Sequence, residues 1–188
     1  MNVYDFDQTV FWPDSSYCFV KYCLRHYPRA VLRSVPELSL TAIRLFMKDA
    51  DTRELKEQVF SFLPGLDDVE QIVQDFWDEH RENVEDWYLR QKRPDDLIIS
   101  ASPEFLLRPI CEELGIRLIA TRMDPYSGKI QGPNCHDTEK VRRFRLEYPE
   151  GKIDSFYSDS LSDSPLAELA EQAFLVKKGS LQPWPEQN

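Results

Sequence analysis

The sequence is short of several features that would assign it to a class at once. It has only 6 glycines, 4 cysteines and 3 histidines in 188 residues. No CxxC pairing is present, so neither a zinc site nor a disulfide framework is indicated, and we expect small, mostly buried thiols. The cysteines are Cys18, Cys23, Cys111 and Cys135. The absence of a GxxxxGK run excludes a phosphate-binding loop of that type.

Long apolar runs and an excess of basic charge are also lacking. No segment approaches the roughly 18 apolar residues that a membrane-spanning helix requires. The first predicted strand begins at Val3, which leaves no room for a signal peptide, so we expect a cytoplasmic protein. The net charge of −10 argues against a nucleic-acid partner. A chain of 188 residues should form one domain, or one domain with a sizeable insertion.

The charge is unevenly distributed, because Glu37 is the only acidic residue between Tyr17 and Lys48. The basic residues of this segment, 17–48, are Lys21, Arg25, Arg29, Arg33, Arg44 and Lys48. The first four are spaced by four residues, which places them along one side of a continuous helix. Two interpretations stay open. The segment is either a solvated helix face or a surface that meets an anionic partner, such as a second substrate phosphate or a lipid headgroup layer.

Apolar periodicity divides the chain into two parts. From about residue 15 to residue 92, apolar residues recur every three or four positions, which predicts helices almost throughout. Interruptions are expected at Pro28, Pro36 and Pro64–Gly65.

From Pro94 onward, strands and helices are predicted to alternate. Strands are expected at 95–100, 117–123, 154–159 and 173–178, and helices at 102–115, 138–148 and 163–172. The first of these helices should start with Ser102 as its N-cap and Pro103 at the first helical position. It should be kinked or broken near Pro109 and end at Gly115. Alternating strands and helices predict a parallel sheet with right-handed crossovers. We therefore expect a three-layer, Rossmann-like α/β core, residues 1–13 and 93–188, with an all-helical cap, residues 14–92, inserted after the first strand.

Polar side chains follow three of the predicted strands, where ligands bind in open α/β sheets. A pair of aspartates follows the first strand and a serine ends the second. Two further aspartates follow a later strand, and a lysine opens the helix before it. These residues are Asp5, Asp7, Ser100, Asp159, Asp163 and Lys140. Because neighbouring carboxylates repel each other, such a cluster requires a cation or a proton to offset its charge.

The order of these groups resembles the haloacid dehalogenase superfamily of phosphatases that use an aspartate nucleophile. The four motifs appear as Asp5-Phe6-Asp7-Gln8-Thr9, Ile98-Ile99-Ser100-Ala101-Ser102-Pro103, Lys140 in NCHDTEKVRRF, and Asp159 with Asp163 in SDSLSD. The SASP run and the helical insert are similar to the phosphoserine-phosphatase-like branch. The Tyr-Ser-Asp-Ser run and the basic start of the insert are similar to phosphatidylglycerophosphatase C-type members. Gln8 and Ser158 stand where glycine is frequent in this superfamily.

The resemblance implies an aspartyl-phosphate mechanism with Mg²⁺. Asp5 would be the nucleophile and Asp7 the general acid, with Ser100 and Lys140 completing the catalytic set. The phosphate would be bound by Thr9, Ser100, Ala101, Ser102 and Lys140. The metal would be held by the side chains of Asp5 and Asp159, the backbone carbonyl of Asp7, and Asp163 through water. A divalent cation also allows a phosphate dianion to approach a group of carboxylates.

Three functions remain open at this stage. The first is hydrolysis of a small soluble phosphomonoester, such as a phosphoserine-like metabolite. The second is hydrolysis of a lipid phosphate, similar to phosphatidylglycerophosphate, with segment 17–48 in peripheral contact with the inner membrane face. The third is a non-catalytic phosphate-binding module. Modules of that kind usually lose the nucleophile or the acid, whereas both Asp5 and Asp7 are present here.

Overall fold

The structure, a computed structural model, describes residues 1–34 and 53–185. In this part of the chain, six strands form one sheet in the order β3-β2-β1-β4-β5-β6. The strands are β1 (Asn2–Tyr4), β2 (Leu97–Pro103), β3 (Arg117–Thr121), β4 (Ile153–Ser158), β5 (Ala170–Lys177) and β6 (Ser180–Pro183). Every neighbouring pair is parallel except β5 and β6. The predicted α/β fold with a mainly parallel sheet is therefore confirmed.

Eight α-helices accompany the sheet within the described residues. They are α1 (Ser15–His26), α2 (Pro28–Ser34), α3 (Arg53–Val59), α4 (Val69–His80), α5 (Asp86–Gln91), α6 (Glu104–Leu114), α7 (Thr138–Glu147) and α8 (Ser164–Ala167). Helices α1 to α5 lie between β1 and β2 in the chain, and we refer to them as the helical insert. The interruption expected at Pro28 is confirmed, whereas the one at Pro36 falls outside the described residues. The predicted boundaries between core and cap remain predictions.

Alternate side chains of the central strands point to opposite faces of the sheet. Val3, Leu97 and Phe156 belong to one buried apolar cluster, which includes Phe144 of α7. Their neighbours Tyr4, Ile98 and Tyr157 belong to the other, which includes residues of the helical insert and of α6. This alternation is the two-residue period of a strand that is buried on both faces. The helical insert therefore shares a continuous apolar core with one face of the sheet.

Helix α4 shows how the insert is attached. Its buried residues recur at three and four positions, which forms one apolar stripe along the helix. They are Val69, Ile72, Val73, Phe76 and Trp77. The indole Nε1 of Trp77 donates to the carbonyl oxygen of Leu106 at 2.6 Å, so the polar atom of this buried ring is satisfied. Helix α4 is thus packed directly against α6 of the core.

The helix expected at 102–115 differs from the prediction at its start. Strand β2 continues to Pro103, and α6 begins at Glu104 rather than after a Ser102 cap. The helix is not broken at Pro109 and ends at Gly115, whose φ of +68° is the left-handed conformation that favours glycine. The backbone of the Ser102 region is held in strand geometry because Pro103 is in register with Thr121 of β3.

The carboxyl-terminal part of the sheet also differs from the prediction. The helix expected at 163–172 ends at Ala167, because residues from Ala170 onward pair with β4 as the start of β5. Strand β6, which follows β5 through a two-residue turn, was not predicted from the sequence. Lys178 and Gly179 in this turn have positive φ values of 51° and 74°, as a tight antiparallel hairpin requires.

Two expectations about composition can be compared with the structure. All four cysteines are free and buried, as predicted. Among the helices in residues 1–34 and 53–185, none combines the length and apolar content needed to span a bilayer.

Candidate active site

The strand order brings the predicted polar residues to one edge of the sheet. Strand β1 lies between β2 and β4, so Asp5, which follows β1, and Ser100, which lies within β2, are on neighbouring strands. Lys140 reaches this edge from α7. Its Nζ donates to Oδ1 of Asp5 at 2.7 Å and to Oδ2 of Asp163 at 2.8 Å. Lys140 is only 2% exposed, so these three side chains form a buried ionic cluster.

Negative charge is in excess in this cluster. Burial raises the pKa of Asp5 to about 8; the nearby Lys140 opposes this rise, and Asp163 and Asp159 add to it. Burial by itself lowers the pKa of Lys140, but the carboxylates of Asp163 and Asp5 outweigh that effect and raise it. The lysine is therefore charged, and it faces more carboxylates than it can neutralise. A cation bound at this edge would relieve the remaining repulsion.

Asp7 is held by partners other than those of Asp5. Its Oδ1 accepts the backbone N–H of Ser15 at 2.6 Å, and its Oδ2 accepts the hydroxyl of Ser102 at 2.5 Å. The hydroxyl of Ser16 lies 3.0 Å from that of Ser102. Gln8 adopts a positive φ of 56°, which explains why glycine is frequent at this position of the motif. The two aspartates of the motif are thus placed in different hydrogen-bond environments.

Ser100 is buried beside these groups. Its Oγ accepts the backbone N–H of Ser102 at 3.1 Å, which leaves the hydroxyl proton of Ser100 for another acceptor. Ser102 does not cap α6 because its hydroxyl is bound to Asp7 instead. Ser100 and Ser102 therefore contact different partners, although only one residue separates them in β2.

Two of the predicted site residues, Thr9 and Asp159, form no side-chain hydrogen bond with the ionic cluster around Lys140 among the described residues. The hydroxyl of Thr9 is fully buried and has no hydrogen-bond partner among the described residues. The carbonyl of Asp159 accepts Lys177 Nζ at 2.6 Å, while its carboxylate has no such bond in residues 1–34 and 53–185. Burial raises the pKa of Asp159 to about 6, with Lys177 opposing the rise and Asp163 adding to it.

The donor set at this edge fits a hard cation. Oδ1 of Asp163 is buried without a hydrogen-bond partner, which leaves a carboxylate oxygen unsatisfied. Within residues 1–34 and 53–185, no three His, Cys, Asp or Glu side chains gather closely enough to form a metal cage by themselves. Mg²⁺ does not require one, because it is usually held by one or two carboxylates and retains several waters. Asp5 and Asp159 supply carboxylate oxygens of the kind that such a site uses.

The structure adds three residues that the sequence analysis did not select. Asp14 caps α1 by accepting Tyr17 N–H at 2.7 Å, and burial together with the nearby Asp7 raises its pKa well above the ordinary value. Lys56 of α3 donates to the carbonyl of Ala101 at 2.8 Å. Ser158 donates to Oδ2 of Asp163 at 2.7 Å, so this departure from glycine supplies a bond. Only Asp14 had a sequence signal, as a helix cap before Ser15.

A family model for haloacid dehalogenase-like hydrolases matches residues 3–168. The chain belongs to this family. The match includes every residue of the ionic cluster and both aspartates of the first motif. Membership identifies the chain as a hydrolase and agrees with the architecture described above.

Among curated proteins, the chain is similar to the protein CicA of Caulobacter vibrioides. The two are 27% identical over 195 residues, which cover 90% of this chain and 82% of CicA. Among solved structures, a protein of unknown function from Bordetella pertussis Tohama I has a TM-score of 0.74 at 21% identity, covering 92% of this chain and 87% of that one. A phosphoserine phosphatase with an analogue of its phospho-aspartyl intermediate has a TM-score of 0.64 at 14% identity, covering 91% and 83%. At these identities, the two structures show a shared fold.

Proposed function

We propose that the chain is a Mg²⁺-dependent phosphatase that hydrolyses a small soluble phosphate monoester through an aspartyl-phosphate on Asp5. One observation carries the proposal. Asp5 is bound to the buried ammonium of Lys140, whereas Asp7, two residues later, is bound to Ser15 and Ser102. This separation gives one carboxylate a cationic partner, which orients it as a nucleophile, and gives the other carboxylate neutral partners, which suit a proton carrier. The phosphoserine phosphatase among the structures of similar fold supports a phosphomonoester as the substrate.

In the first step, the Asp5 carboxylate attacks phosphorus. A bond forms between Oδ of Asp5 and phosphorus, and the bond from phosphorus to the leaving oxygen breaks. Lys140 keeps Asp5 oriented and offsets the negative charge that spreads over the phosphoryl oxygens. The Ser100 hydroxyl proton is available to one of those oxygens. When bound by Asp5, Asp159 and the carbonyl of Asp7, Mg²⁺ supplies positive charge that lets the dianionic substrate approach.

Asp7 serves both steps in this proposal. Its carboxylic acid gives a proton to the leaving alkoxide, and the resulting carboxylate then takes a proton from a water whose oxygen bonds to phosphorus. The bond between phosphorus and Asp5 Oδ breaks, which releases phosphate and restores the Asp5 carboxylate. The hydroxyls of Ser102 and Ser16 can each donate or accept, so the pair can hydrogen-bond Asp7 in either protonation state. The acid is therefore held in place while its proton is transferred.

The test is hydrolysis of an aryl phosphate with and without Mg²⁺. We expect turnover that requires the metal, is abolished by EDTA, and is lost in Asp5→Asn because an amide neither attacks phosphorus nor balances the metal charge. An active Asp5→Asn, or substantial turnover in EDTA, would contradict the mechanism. Binding of phosphate without any turnover would instead identify a non-catalytic module.

A lipid-phosphate substrate is the second candidate, and the surface of α1 and α2 favours it. Lys21, Arg25, Arg29 and Arg33 are all exposed, and none forms a hydrogen bond or ion pair within the described residues. Leu32 on α2 is 57% exposed. Each basic residue near an anionic membrane contributes about 1 kcal/mol, so four could hold the chain there reversibly. Arg44 and Lys48 of segment 17–48 lie outside the described residues.

Sedimentation with anionic vesicles separates the two candidates. If the substrate is a lipid phosphate, the chain should bind vesicles at low salt, lose binding at high salt, and hydrolyse a phospholipid monoester. A variant with Arg25, Arg29 and Arg33 changed to Gln should lose vesicle binding but retain turnover of a soluble aryl phosphate. Absence of binding at low salt, with rapid hydrolysis of a soluble monoester, would leave this surface as a solvated face.

A further inference from the structure

A hairpin that follows β3, residues 122–131, extends from the core toward the helical insert. Met123 pairs with Ile130, and Gln131 N–H donates to the Arg122 carbonyl at 2.7 Å. Oδ1 of Asp124 accepts the backbone N–H of Ser127 at 2.7 Å, which fixes the turn. The hairpin is therefore an ordered projection of the core.

Helix α3 of the insert binds both backbone polar groups of Ile130. Oε1 of Glu57 accepts the Ile130 N–H at 3.0 Å, and Nη2 of Arg53 donates to the Ile130 carbonyl at 2.6 Å. Oε2 of Glu57 accepts Nζ of Lys129 at 3.0 Å. The hydrogen bonds from Lys129 and Arg53 lower the pKa of Glu57 to about 2, so its carboxylate is ionised near neutral pH. We call these four residues the α3–hairpin contact.

The hairpin backbone also touches the insert directly. A Cβ added at Gly128 would lie 2.4 Å from the carbonyl oxygen of Phe60, just beyond the end of α3. Real Cβ atoms essentially never approach an oxygen so closely, so a side chain at this position would force the two elements apart. The contact thus depends on close approach at Gly128 as well as on the ionic bonds of Glu57.

The same helix places Lys56 beside Ser100-Ala101-Ser102. We refer to these three residues as the phosphate-binding motif, because the proposed function assigns them to the phosphate. Lys56 lies three residues after Arg53 and therefore on a neighbouring part of the helix surface. Its Nζ donates to the carbonyl of Ala101 at 2.8 Å and to Oδ1 of Asn134 at 2.9 Å. Asn134 is itself held by the hydroxyl of Thr121 at the end of β3. Movement of α3 away from the hairpin would withdraw the Lys56 ammonium from the end of β2.

We propose that Glu57 is a positioning residue that holds α3 against the hairpin and thereby keeps Lys56 beside the phosphate-binding motif. The effect on turnover rests on the proposed phosphatase function, whereas the contact itself can be tested without any activity. Glu57 touches neither the reacting atoms nor the ionic cluster around Lys140. It acts by setting the fraction of molecules in which the helical insert is closed over the site.

The test compares Glu57→Ala with Glu54→Ala, a matched control at an exposed position of the same helix. Each ionic hydrogen bond stabilises a contact enough that its loss should raise amide hydrogen exchange about 10- to 100-fold in segments 53–60 and 122–131. Because substrate can still select the closed state, KM should rise about three- to tenfold while kcat stays within about twofold. Glu57→Gln, which keeps an acceptor for Ile130 N–H, should lie between Glu57→Ala and wild type.

A second pair of variants tests the same contact without changing the charge of any residue. Gly128 and Gly115 both have φ of +68°, but a Cβ at Gly115 would meet nothing within 4 Å. Gly128→Ala should reproduce the exchange and KM changes of Glu57→Ala, and Gly115→Ala should leave both segments as in wild type. Exchange in Glu57→Ala and Gly128→Ala equal to that of their controls would overturn the proposal. An inactive wild type with increased exchange in these variants would refute the phosphatase function and leave the contact supported.

Discussion

Two lysines reach the candidate active site from opposite sides, and their surroundings differ. Lys140 comes from the core, is buried, and is bound to the carboxylates of Asp5 and Asp163. Lys56 comes from the helical insert, is half-buried, and is bound to the neutral oxygens of Ala101 and Asn134. Water reaches a half-buried ammonium such as that of Lys56, but it cannot replace a counter-charge that is fully buried at similar free energy. The comparison indicates a preformed core half and an insert half that can move away from it.

The largest difference between the halves should appear when each lysine is removed. Lys140→Met leaves two buried carboxylates without a counter-charge, which should lower the free energy of unfolding by about 3–5 kcal/mol and abolish turnover. Lys56→Met should lower the free energy of unfolding by less, because Lys56 is half-buried and its ammonium is partly solvated in the folded state. Urea denaturation in EDTA measures both variants. Equal stability losses would remove the distinction between the two halves.

The second prediction concerns the acid within the core half. Asp7→Asn should slow turnover by roughly 10²–10⁴, the usual contribution of a positioned general acid. The loss should be smaller for nitrophenyl phosphate than for an alkyl phosphate, because nitrophenolate leaves without a proton. Ser102→Ala, which removes one hydrogen bond to Asp7 but keeps the carboxylate, is the matched control and should cost less. Similar losses of Asp7→Asn on both substrates would contradict the role assigned to Asp7.

The core half could be predicted from sequence because its residues follow from strand ends. Asp5 and Asp159 lie just beyond the carboxyl ends of β1 and β4, and Ser100 lies within the adjacent parallel strand β2. A parallel sheet brings the carboxyl halves of adjacent strands together whatever the loops do. Lys140 could be assigned because it opens the helix before β4. The placement of Val3 and Tyr4 in the apolar clusters on opposite faces of the sheet follows from the same strand geometry. These features are local or depend only on strand order.

The insert half could not be predicted because its contacts depend on how separate elements pack. Lys56 is one charged residue on a helix, and apolar periodicity does not define how that helix is oriented relative to the core. Its contact with Ala101 therefore had no sequence signal. Ser102 was expected to cap a helix, but a competing bond to Asp7 and strand register at Pro103 override that local preference. Residues Ala170–Gln172 favour a helix and yet pair with β4. In each case, tertiary packing overrides local propensity.

The third prediction concerns turnover in the insert half. Lys56→Met should reduce kcat/KM about tenfold, which corresponds to a loss of about 1.4 kcal/mol of transition-state stabilisation by the ammonium. Lys56→Arg should retain more activity because it keeps the charge. Lys21→Met, at an exposed position of α1, controls for loss of an insert lysine far from Ala101. A Lys56→Met enzyme as active as the Lys21→Met control would exclude Lys56 from the site.

The smallest expected effect is the pH dependence of the α3–hairpin contact. The pKa of Glu57 is lowered from 4.5 to about 2 by its hydrogen bonds to Lys129 and Arg53. A lowered carboxylate pKa means that the contact stabilises the folded state fully above pH 4.5, and that this contribution is lost as the pH falls toward 2. Because Lys129 is 66% exposed, solvent screens the pair and reduces the effect. The difference in Tm between wild type and Glu57→Ala should therefore be constant from pH 5 to 8 and shrink below about pH 4. Titration of the buried aspartates affects both proteins and cancels in this difference. A difference that grows on acidification would show that Glu57 is not stabilised as a carboxylate, and that its contact with the hairpin is not ionic.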